Sequence, residues 1–499
     1  GLQAPPVSGN LEVKPYAISR LTTDHLVRPV VDNKFEPAGG ADFKYKLTKS
    51  MTADFTYNTD FAQVEADEAQ VNLTRFSLTF PEKREFFLEG QGTFQFGGGG
   101  GGDVGGSMVP QIFYTRRIGL SGTREVPVIG GGRLNGKTGD WTIGALNIET
   151  DSDKAAAAKQ TNFTVLRLRR DILRRSNIGA LYTRRSVSTV RPGGNDVWGI
   201  DSNFVFYQNI YMSGYVSQSR TDGRSGDDLS YRGQFSYTAD RYGLSFDRLV
   251  VEKNFNPEIG LIRRQNFRRT YGNARFSPRT VKNPLVRKWT YEANLDYITD
   301  DHNVLESREA SGEFRTDFHS SDAVSVLYQH LYESLKAPFQ VATGVRIPVG
   351  GYGFENLKLS YIAGVQHRLS GTTSFEKGTF YNGDKKAIAF KGRVEFTHQF
   401  GLEPNVSYNW VDLPVGSFRD TVLGARSVFT MTPRMFVAAL VQYSSSNTSL
   451  STNLRFRWEY QPGSEMFVVF TDGRSTLPPT GTEFQNRGLV VKFNRLFRF

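Results

Sequence analysis

The chain of 499 residues contains no cysteine, which excludes a disulfide scaffold and thiol chemistry but leaves the redox compartment open. Long apolar runs are also missing. A transmembrane helix needs about 18 consecutive apolar residues, and the best stretch, Phe436 to Tyr443, is far shorter, so we expect no transmembrane helix. The first residues show no basic and apolar signal-peptide pattern. We interpret residues 1–10 as a linker tail from a missing N-terminal region of a mature or trimmed product.

Recognised catalytic and metal-binding patterns are missing as well. The six histidines show neither H-E-x-x-H nor a metal-ligand spacing, and no G-x-S-x-G motif occurs. The carboxylates at Asp151, Asp153 and Asp222 to Asp228 could take calcium, but they do not follow the EF-hand spacing. We therefore predict that the protein is not an enzyme and that it carries no cofactor and no metal site.

One stretch matches a nucleotide-binding consensus. Gly131 to Thr138 fits the P-loop pattern, which binds phosphates only where a helix follows the glycine-rich turn. Here Val126 to Leu134 and Trp141 to Ile148 are two predicted strands, and Asn135-Gly136 between them predicts a hairpin turn. Because no helix follows, we exclude nucleotide binding.

The charge balance is basic, with a formal net charge of +11 and an isoelectric point of about 9.5. Such a balance fits nucleic acid, anionic lipid headgroups or an anion-selective lumen. The basic residues are spread through strand-like segments instead of being gathered in one tail. This distribution argues against a nucleic-acid partner.

Strict alternation of aromatic and polar residues is the dominant pattern. In Asn453 to Tyr460, the residues Leu454, Phe456, Trp458 and Tyr460 share one face, and Arg455, Arg457 and Glu459 share the other. Tyr231 to Thr238 and Tyr291 to Tyr297 alternate in the same way. A period of two predicts half-buried strands. The apolar face could pack in a soluble sandwich or face lipid in a transmembrane barrel.

Three further features favour the barrel. The alternation continues over most of residues 130–499, which is more strand than one sandwich uses. Tight turns alternate with longer polar loops, as in outer-membrane barrels; the predicted turns are Asn135-Gly136, Gln208-Asn209 and Asp240-Arg241, and the predicted loops are Thr150 to Gln160, Arg191 to Asn195, Arg220 to Asp228 and Asn382 to Lys386. The last strand, Gly488 to Phe499, resembles the C-terminal assembly signal of bacterial outer-membrane barrels through Phe493, Phe497 and Phe499, although Arg495 interrupts its apolar face.

We therefore predict an all-β protein, a large antiparallel transmembrane β-barrel with an even number of strands, roughly 18 to 24. Residues 11–499 form one domain in this prediction, located in the bacterial outer membrane. The expected partners are outer-membrane lipid and lipopolysaccharide, the barrel assembly machinery and a periplasmic or surface protein.

Residues 60–106 interrupt this regular pattern. They follow three early strands, Leu11 to Arg20, Asp42 to Leu47 and Thr52 to Tyr57. An alternating strand is predicted at Leu73 to Phe80, and Pro81 and Gly90 are typical of the two ends of a short helix. The glycine tract at residues 97–102 predicts an exposed loop or a mobile lumenal segment, of which we favour the loop. We expect residues 60–106 to lie in the lumen or at its rim, as a plug or constriction.

The charged residues of this insert are the candidate lumen constriction: Glu65, Asp67, Glu68, Arg75, Glu82, Lys83, Arg84 and Glu85. A candidate basic wall comprises Arg167, Arg169, Arg232, Arg455 and Arg457. In a strand, neighbouring residues point to opposite sides, so paired basics such as Arg174-Arg175 can lie at a rim. A lumenal position would favour anionic solutes. Lumenal salt bridges with Glu292, Glu395 or the acidic residues of the insert are an equal alternative.

Six motifs together resemble one bacterial family of unassigned function: Asp60 to Asp67, Val71 to Phe76, Phe80 to Gly90, Phe113 to Gly119, Gly132 to Gly139 and Phe255 to Gly260. Members of that family look like outer-membrane barrels and commonly carry an N-terminal domain similar to a family 9 carbohydrate-binding module. The module is missing here, so a sugar-binding role would depend on a domain outside this chain. The resemblance supplies no catalytic residues.

The leading functional hypothesis is a channel or a transport or export component whose lumen is narrowed by residues 60–90. The alternative is a sealed barrel that serves as a structural anchor for a periplasmic or cell-surface partner, and that partner could be carbohydrate-linked. An outer-membrane hydrolase is the least favoured hypothesis.

Overall fold

A computed structural model describes residues 10–59, 67–98, 108–121, 124–154, 156–477 and 483–499. The elements of these residues are, in chain order, β1 (Leu11–Asp24), β2 (Val31–Thr48), β3 (Met51–Thr59), α1 (Glu85–Leu88), two 3-10 turns (Gln91–Phe94 and Thr115–Arg117), β4 (Leu120–Ser121), β5 (Arg124–Glu125), β6 (Val128–Thr138), β7 (Trp141–Thr150), β8 (Thr161–Ile172), β9 (Ser176–Arg185), β10 (Asn195–Phe206), β11 (Ile210–Thr221), β12 (Leu229–Thr238), β13 (Tyr242–Val251), β14 (Phe267–Phe276), β15 (Val286–Thr299), β16 (Leu305–Phe318), β17 (Ala323–Leu335), β18 (Phe339–Ala342), β19 (Val345–Ile347), β20 (Gly350–Ala363), β21 (Leu369–Phe380), β22 (Gly383–Glu395), β23 (Phe400–Leu413), β24 (Gly416–Thr432), β25 (Met435–Ser444), β26 (Ser449–Gln461), β27 (Ser464–Ser475), β28 (Glu483–Asn494) and β29 (Phe497–Arg498).

These strands close into one antiparallel barrel. β4 pairs with β5 and β18 pairs with β19 in two separate two-stranded sheets, and the short β29 continues the edge of β28 along β1. Among the described residues, the remaining 24 strands each pair with two neighbours, and β1 pairs with both β2 and β28. Closure satisfies every strand edge, which a sheet in lipid requires. The predicted fold class and strand range are confirmed.

The two faces of the wall differ in polarity. In β28, Leu489, Val491 and Phe493 point outward and are exposed, whereas Lys492 and Asn494 point inward and are buried. Outward Tyr, Phe, Trp, Leu and Val occur around the barrel, and the inward residues are polar except where two apolar clusters lie against the inner face. An apolar outer band around a polar interior is the architecture of proteins of the bacterial outer membrane, so the outer face meets lipid. No helix in the described part of the chain is long and apolar enough to cross a membrane.

The two ends of the barrel carry different connections. The end that holds Leu11 and Asn494 carries short turns, at residues 49–50, 139–140, 433–434 and 462–463. The opposite end carries longer loops, at residues 151–160, 186–194, 252–266 and 336–349. Short turns face the periplasm and long loops face outward in outer-membrane barrels, so we name these the periplasmic end and the outer end.

Two predicted connections were wrong. Asn135-Gly136 lies inside β6, because these two residues pair with Thr52 and Met51 of β3 on one side and with β7 on the other. The turn between β6 and β7 is at residues 139–140. Asn382 to Lys386 is not a long loop, since β22 begins at Gly383. Its polar residues belong to a strand that borders the lumen, where Lys385 forms an ion pair of 2.8 Å with Glu376.

Candidate functional site

The chain between β3 and β6 enters the barrel from the outer end. We call its described residues, 67–98, 108–121 and 124–127, the lumenal segment. Its buried apolar side chains Phe87, Phe94, Ile112 and Ile118 form one cluster with inward residues of the wall. The wall residues of that cluster include Leu146, Val165, Leu181, Val197 and Leu249. One half of the wall, from β6 to β15, is therefore covered by the lumenal segment.

The conformation of the segment differs in part from the prediction. The short helix expected between Pro81 and Gly90 is present as α1, one turn long. The strand predicted at Leu73 to Phe80 was wrong, because these residues have no regular secondary structure. Their alternating side chains contact different groups of the barrel: Leu73 packs against the apolar cluster around Leu335, whereas Arg75 forms an ion pair of 2.6 Å with Glu333.

A buried ion pair organises the start of α1. The guanidinium of Arg84 donates to both carboxylate oxygens of Glu82, at 2.8 and 2.7 Å. It also donates to the carbonyl oxygens of Ile118 and Thr115 and lies 4.3 Å above the ring of Phe87. Burial opposes ionisation of Glu82, but the hydrogen bonds and charge of Arg84, with a hydrogen bond from Thr115, hold the pKa of Glu82 below its usual range. Glu82 and Arg84 thus join the two halves of the lumenal segment.

Arg133 connects α1 to the wall. This residue of β6 donates from Nη2 to Asp54 of β3 at 2.7 Å, and its Nη1 donates to the carbonyl oxygens of Phe86 and Glu89. Its side chain is almost fully buried. On the same side, Lys44 reaches the carboxylate of Glu89 at 2.5 Å. Sequence analysis missed Arg133 because it lies inside the stretch that matches the P-loop consensus.

A second contact holds the tip of the segment. Gly97 donates its N–H to Asp201 at 3.1 Å and accepts from Arg232 through its carbonyl oxygen at 3.3 Å. Arg167 and Arg232, predicted as a basic wall, each form a buried ion pair, with Asp201 at 2.6 Å and with Asp247 at 2.8 Å. The acidic partners thus lie on nearby strands, Asp201 two strands from Arg167 and Asp247 on the strand next to Arg232, and they are not Glu292 or Glu395. Gly97 is buried between them, and residues 99–107 of the glycine tract lie outside the described part.

Space for this tip depends on a glycine of the wall. A Cβ at Gly199 would lie 2.6 Å from the ring of Phe96 and 3.0 Å from Cβ of Ser217. We expect Gly199→Leu to displace Phe96 and Gly97 at a cost of about 1–3 kcal/mol, as for overpacking, and to raise the rate of protease cleavage of the segment. Gly272→Leu is the matched control, because nothing lies within 4 Å of a Cβ there. Equal cleavage of both variants would contradict this expectation.

Polar contacts join the start of the segment to the opposite wall. Asp67 accepts from Arg116 at 2.5 Å and pairs with Lys83 at 3.3 Å, both within the segment. Glu68 pairs with Lys391 of β22 at 2.8 Å. Gln442 of β25 accepts from the N–H of Ala69 at 2.6 Å and donates to the carbonyl oxygen of Asp67 at 3.1 Å. Ion pairs and hydrogen bonds are therefore the main contacts of residues 67–83 where they cross the lumen.

The outer loop 252–266 closes over the segment. Gln111 and Leu261 exchange two backbone hydrogen bonds, at 3.0 and 2.7 Å, and Tyr114 donates its N–H to Ile259 at 2.9 Å. A Cβ at Gly260 would lie 2.1 Å from the carbonyl oxygen of Gln111, so only glycine permits this approach. Two of the motifs that carry the family resemblance, Phe113 to Gly119 and Phe255 to Gly260, are thereby in direct contact.

The remaining predicted residues have varied positions. Glu85 is largely exposed, with Lys14 at 3.9 Å, and Glu65 lies outside the described residues. Arg169 faces the lumen near the periplasmic end. Arg455 lies over the ring of Phe436 at 5.5 Å, and Arg457 donates to Glu465 at 2.7 Å. The predicted assembly residues Phe493, Phe497 and Phe499 are all exposed on the outer face, and Phe493 stacks on Tyr460 at 4.9 Å.

Three recesses follow one side of the segment. A recess of about 560 Å³ near the outer end is lined by β1, β27 and β28, and one of about 720 Å³ is lined by Lys391, Arg455, Arg457 and Glu465. Asp67, Glu82 and Lys83 border both. A third of about 240 Å³ at the periplasmic end shares Glu85 with the second. The recesses therefore adjoin one another from the outer end to the periplasmic end, between the segment and a side of the wall that includes β1, β2, β22 and β24 to β28.

Comparisons with known proteins give one family match. Residues 5–127, about a quarter of the chain, match the family model described as a domain of unknown function, DUF5916. The match includes the motifs from Asp60 to Gly119 that carry the resemblance, and the expected companion carbohydrate-binding module stays a prediction. No curated protein matches this chain.

Solved structures of similar size also match. The chain is similar to OpdQ of Pseudomonas aeruginosa, with a TM-score of 0.32, 8% identity and coverage of 98% of both chains. It is similar to OccAB3 of Acinetobacter baumannii, with a TM-score of 0.31, 11% identity and coverage of 98% and 99%. It is also similar to the copper transporter OprC, with a TM-score of 0.40, 9% identity and coverage of 99% of this chain and 82% of that one.

Proposed function

We propose that this protein is a channel or transport component of the outer membrane whose lumen is closed by the lumenal segment. The observation that carries the proposal is the series of three adjoining recesses along the segment. Their boundaries are formed by Asp67, Glu82, Lys83 and Glu85, four of the residues predicted as a constriction. Acidic and basic residues both line the path, so we infer no preference for anions.

The route would open by movement of residues 67–83. This part of the segment is held to the wall mostly by ion pairs and hydrogen bonds, whereas residues 84–98 and 108–121 are also held by the apolar cluster. Polar contacts exchange with water at lower cost than a packed apolar core. We propose that residues 67–83 move while the rest of the segment stays on the wall.

Single-channel conductance in planar bilayers tests the proposal. Thr59 pairs directly with Val128, so a short turn can replace residues 60–127 without disturbing the register of β3 and β6. We expect this variant to conduct strongly, because a barrel of this strand number encloses a wide lumen. The intact protein should show small or intermittent conductance. If neither protein conducts although each shows the heat-modifiable gel mobility of a folded barrel, the channel proposal is wrong.

Movement of residues 67–83 can be tested separately. Because the chain has no cysteine, the pair Ala69→Cys and Gln442→Cys can form a disulfide without competing thiols. We expect oxidation to abolish the intermittent conductance of the intact barrel and reduction to restore it. The single variant Ala69→Cys is the control. Conductance that is unchanged by oxidation of the pair would place the opening elsewhere.

The second candidate function is a sealed barrel that anchors a periplasmic or surface partner. The contacts of the segment with β2, β6, β10, β17, β22 and β25 favour it, because they hold the segment on several sides of the lumen. Conductance only after replacement of residues 60–127 would support this candidate. For either function, we propose that the exposed rings of Phe493, Phe497 and Phe499 form the signal for the barrel assembly machinery.

A further inference from the structure

Four turns at the periplasmic end form one continuous surface. The turn at residues 277–285 is connected to the turn at 239–241 by the N–H of Ser277, which donates to Arg241 at 2.7 Å, and by the ion pair of Arg279 with Asp240 at 2.6 Å. On its other side, His319 donates its N–H to Leu285 at 3.0 Å. Gly364 donates to Asp322 at 2.8 Å. We call residues 239–241, 277–288, 319–322 and 364–368 the periplasmic platform.

The platform is basic and carries exposed apolar side chains. It contains six basic residues against two acids; the basic residues are Arg241, Arg279, Lys282, Arg287, Lys288 and Arg368. Both acids are already engaged, Asp240 with Arg279 and Asp322 with His367 at 2.9 Å. Val281, Val365 and Leu285 are exposed by 95%, 93% and 71%. Positive charge beside exposed aliphatic groups is the composition of a surface that meets the headgroup and upper acyl region of a bilayer.

A row of aromatic rings lies directly above the platform on the outer face. Tyr242, Phe276, Tyr291 and Phe314 belong to four successive strands, β13 to β16, and successive ring centroids are 5.4, 6.2 and 5.1 Å apart. All four rings are exposed to the outside of the barrel. Aromatic girdles mark the level at which lipid headgroups begin. The platform therefore lies at the headgroup level of the inner leaflet.

Arg241 joins the row to the platform. Its guanidinium lies 5.6 Å from the ring centroid of Tyr242 and 5.4 Å from that of Phe276. The guanidinium therefore lies at the level of the aromatic row, where a phosphate of the headgroup region can accept its hydrogen bonds. We propose that the periplasmic platform binds anionic phospholipid, with phosphate groups at Arg241, Lys282 and Arg287 and acyl chains against the aromatic row.

Native mass spectrometry of the full chain tests this site. The detergent-solubilised protein is incubated with equal amounts of dioleoylphosphatidylglycerol and dioleoylphosphatidylcholine, which differ only in the headgroup. We expect the protein to retain phosphatidylglycerol preferentially. The triple variant Arg241→Gln, Lys282→Gln and Arg287→Gln should lose this preference by at least about tenfold, because each basic group near an anionic surface contributes roughly fivefold.

A matched variant removes three exposed basic residues of the outer end, Arg28→Gln, Lys154→Gln and Lys159→Gln, and should keep the preference. Equal retention of the two lipids by the unmodified protein would overturn the proposal. An unchanged preference in the triple variant would also overturn it, because the lipid selectivity would then arise elsewhere on the barrel. If the triple variant lacks heat-modifiable gel mobility, Arg241→Gln alone should lower the preference about fivefold, and no loss would again overturn the site.

Discussion

Replacing Arg133 with methionine is expected to release α1 from the wall while the barrel stays folded. The change leaves the buried Asp54 carboxylate without its guanidinium and removes the donor to the carbonyl oxygens of Phe86 and Glu89. Removing one partner of a buried ion pair costs about 3–5 kcal/mol. Limited proteolysis should therefore cut the segment near α1 much faster than in the unmodified protein, and the open-channel fraction in bilayers should rise.

Lys137 supplies a control on the same strand. Its ion pair with Asp171 is exposed on both sides, and exposed pairs contribute only about 0–1 kcal/mol, so Lys137→Met should leave proteolysis and conductance unchanged. Adding Asp54→Asn to Arg133→Met should recover part of the protection, because it removes the uncompensated charge. A segment that stays protected in Arg133→Met would show that the apolar cluster alone holds α1.

The barrel could be predicted from sequence because its signal is local. Alternation in a strand such as Leu489 to Phe493 assigns each residue to lipid or lumen without knowledge of its neighbours. The positions of the turns were predicted less well from the sequence. Asn135-Gly136 has the composition of a hairpin turn, but pairing with β3 and β7 extends β6 beyond it, and such pairing depends on residues that are distant in sequence.

The partners of the lumenal charges could not be predicted for the same reason. Alternation identified Arg167 and Arg232 as inward residues. Their acidic partners depend on proximity across the sheet, which the sequence pattern does not give. Asp201 lies two strands from Arg167, and Asp247 lies on the strand next to Arg232. The pairing leaves little unbalanced positive charge at these two sites. This favours the salt-bridge alternative over an anion-selective wall in this half of the barrel.

The dense charge of residues 82–85 was recognised from sequence, but its arrangement was not. The four side chains have different environments, since Glu82 and Arg84 are buried against each other, Lys83 reaches Asp67 and Glu85 is exposed. The burial of the pair arises from packing against Ile118 and Thr115, more than 30 residues later in the chain. Adjacent charged residues thus divide into a buried pair, of which Glu82 also borders two recesses, and two less buried residues, Lys83 and Glu85.

Acid is expected to weaken the closed state through Glu82. The folded-state pKa of Glu82 is lowered. The contribution of Glu82 to the stability of the closed state is therefore fully present above the pKa of an ordinary glutamate, about 4.3. That contribution is lost as the pH falls below this value and through the lower folded-state pKa. Protonation removes the charge that Arg84 binds and leaves a buried guanidinium without its counter-ion. Conductance or proteolysis of the unmodified protein should therefore increase as the pH falls below the pKa of an ordinary glutamate, about 4.3.

Glu82→Gln isolates this contribution from that of the other carboxylates. The variant should show at pH 7 the release that acid produces in the unmodified protein, with a cost of about 3–5 kcal/mol for the broken buried pair, and its further response to acid should be smaller. Glu85→Gln is the matched control, because that neighbouring carboxylate is largely exposed and 3.9 Å from Lys14. An acid response of equal size in Glu82→Gln and the unmodified protein would show that groups other than Glu82 carry the response.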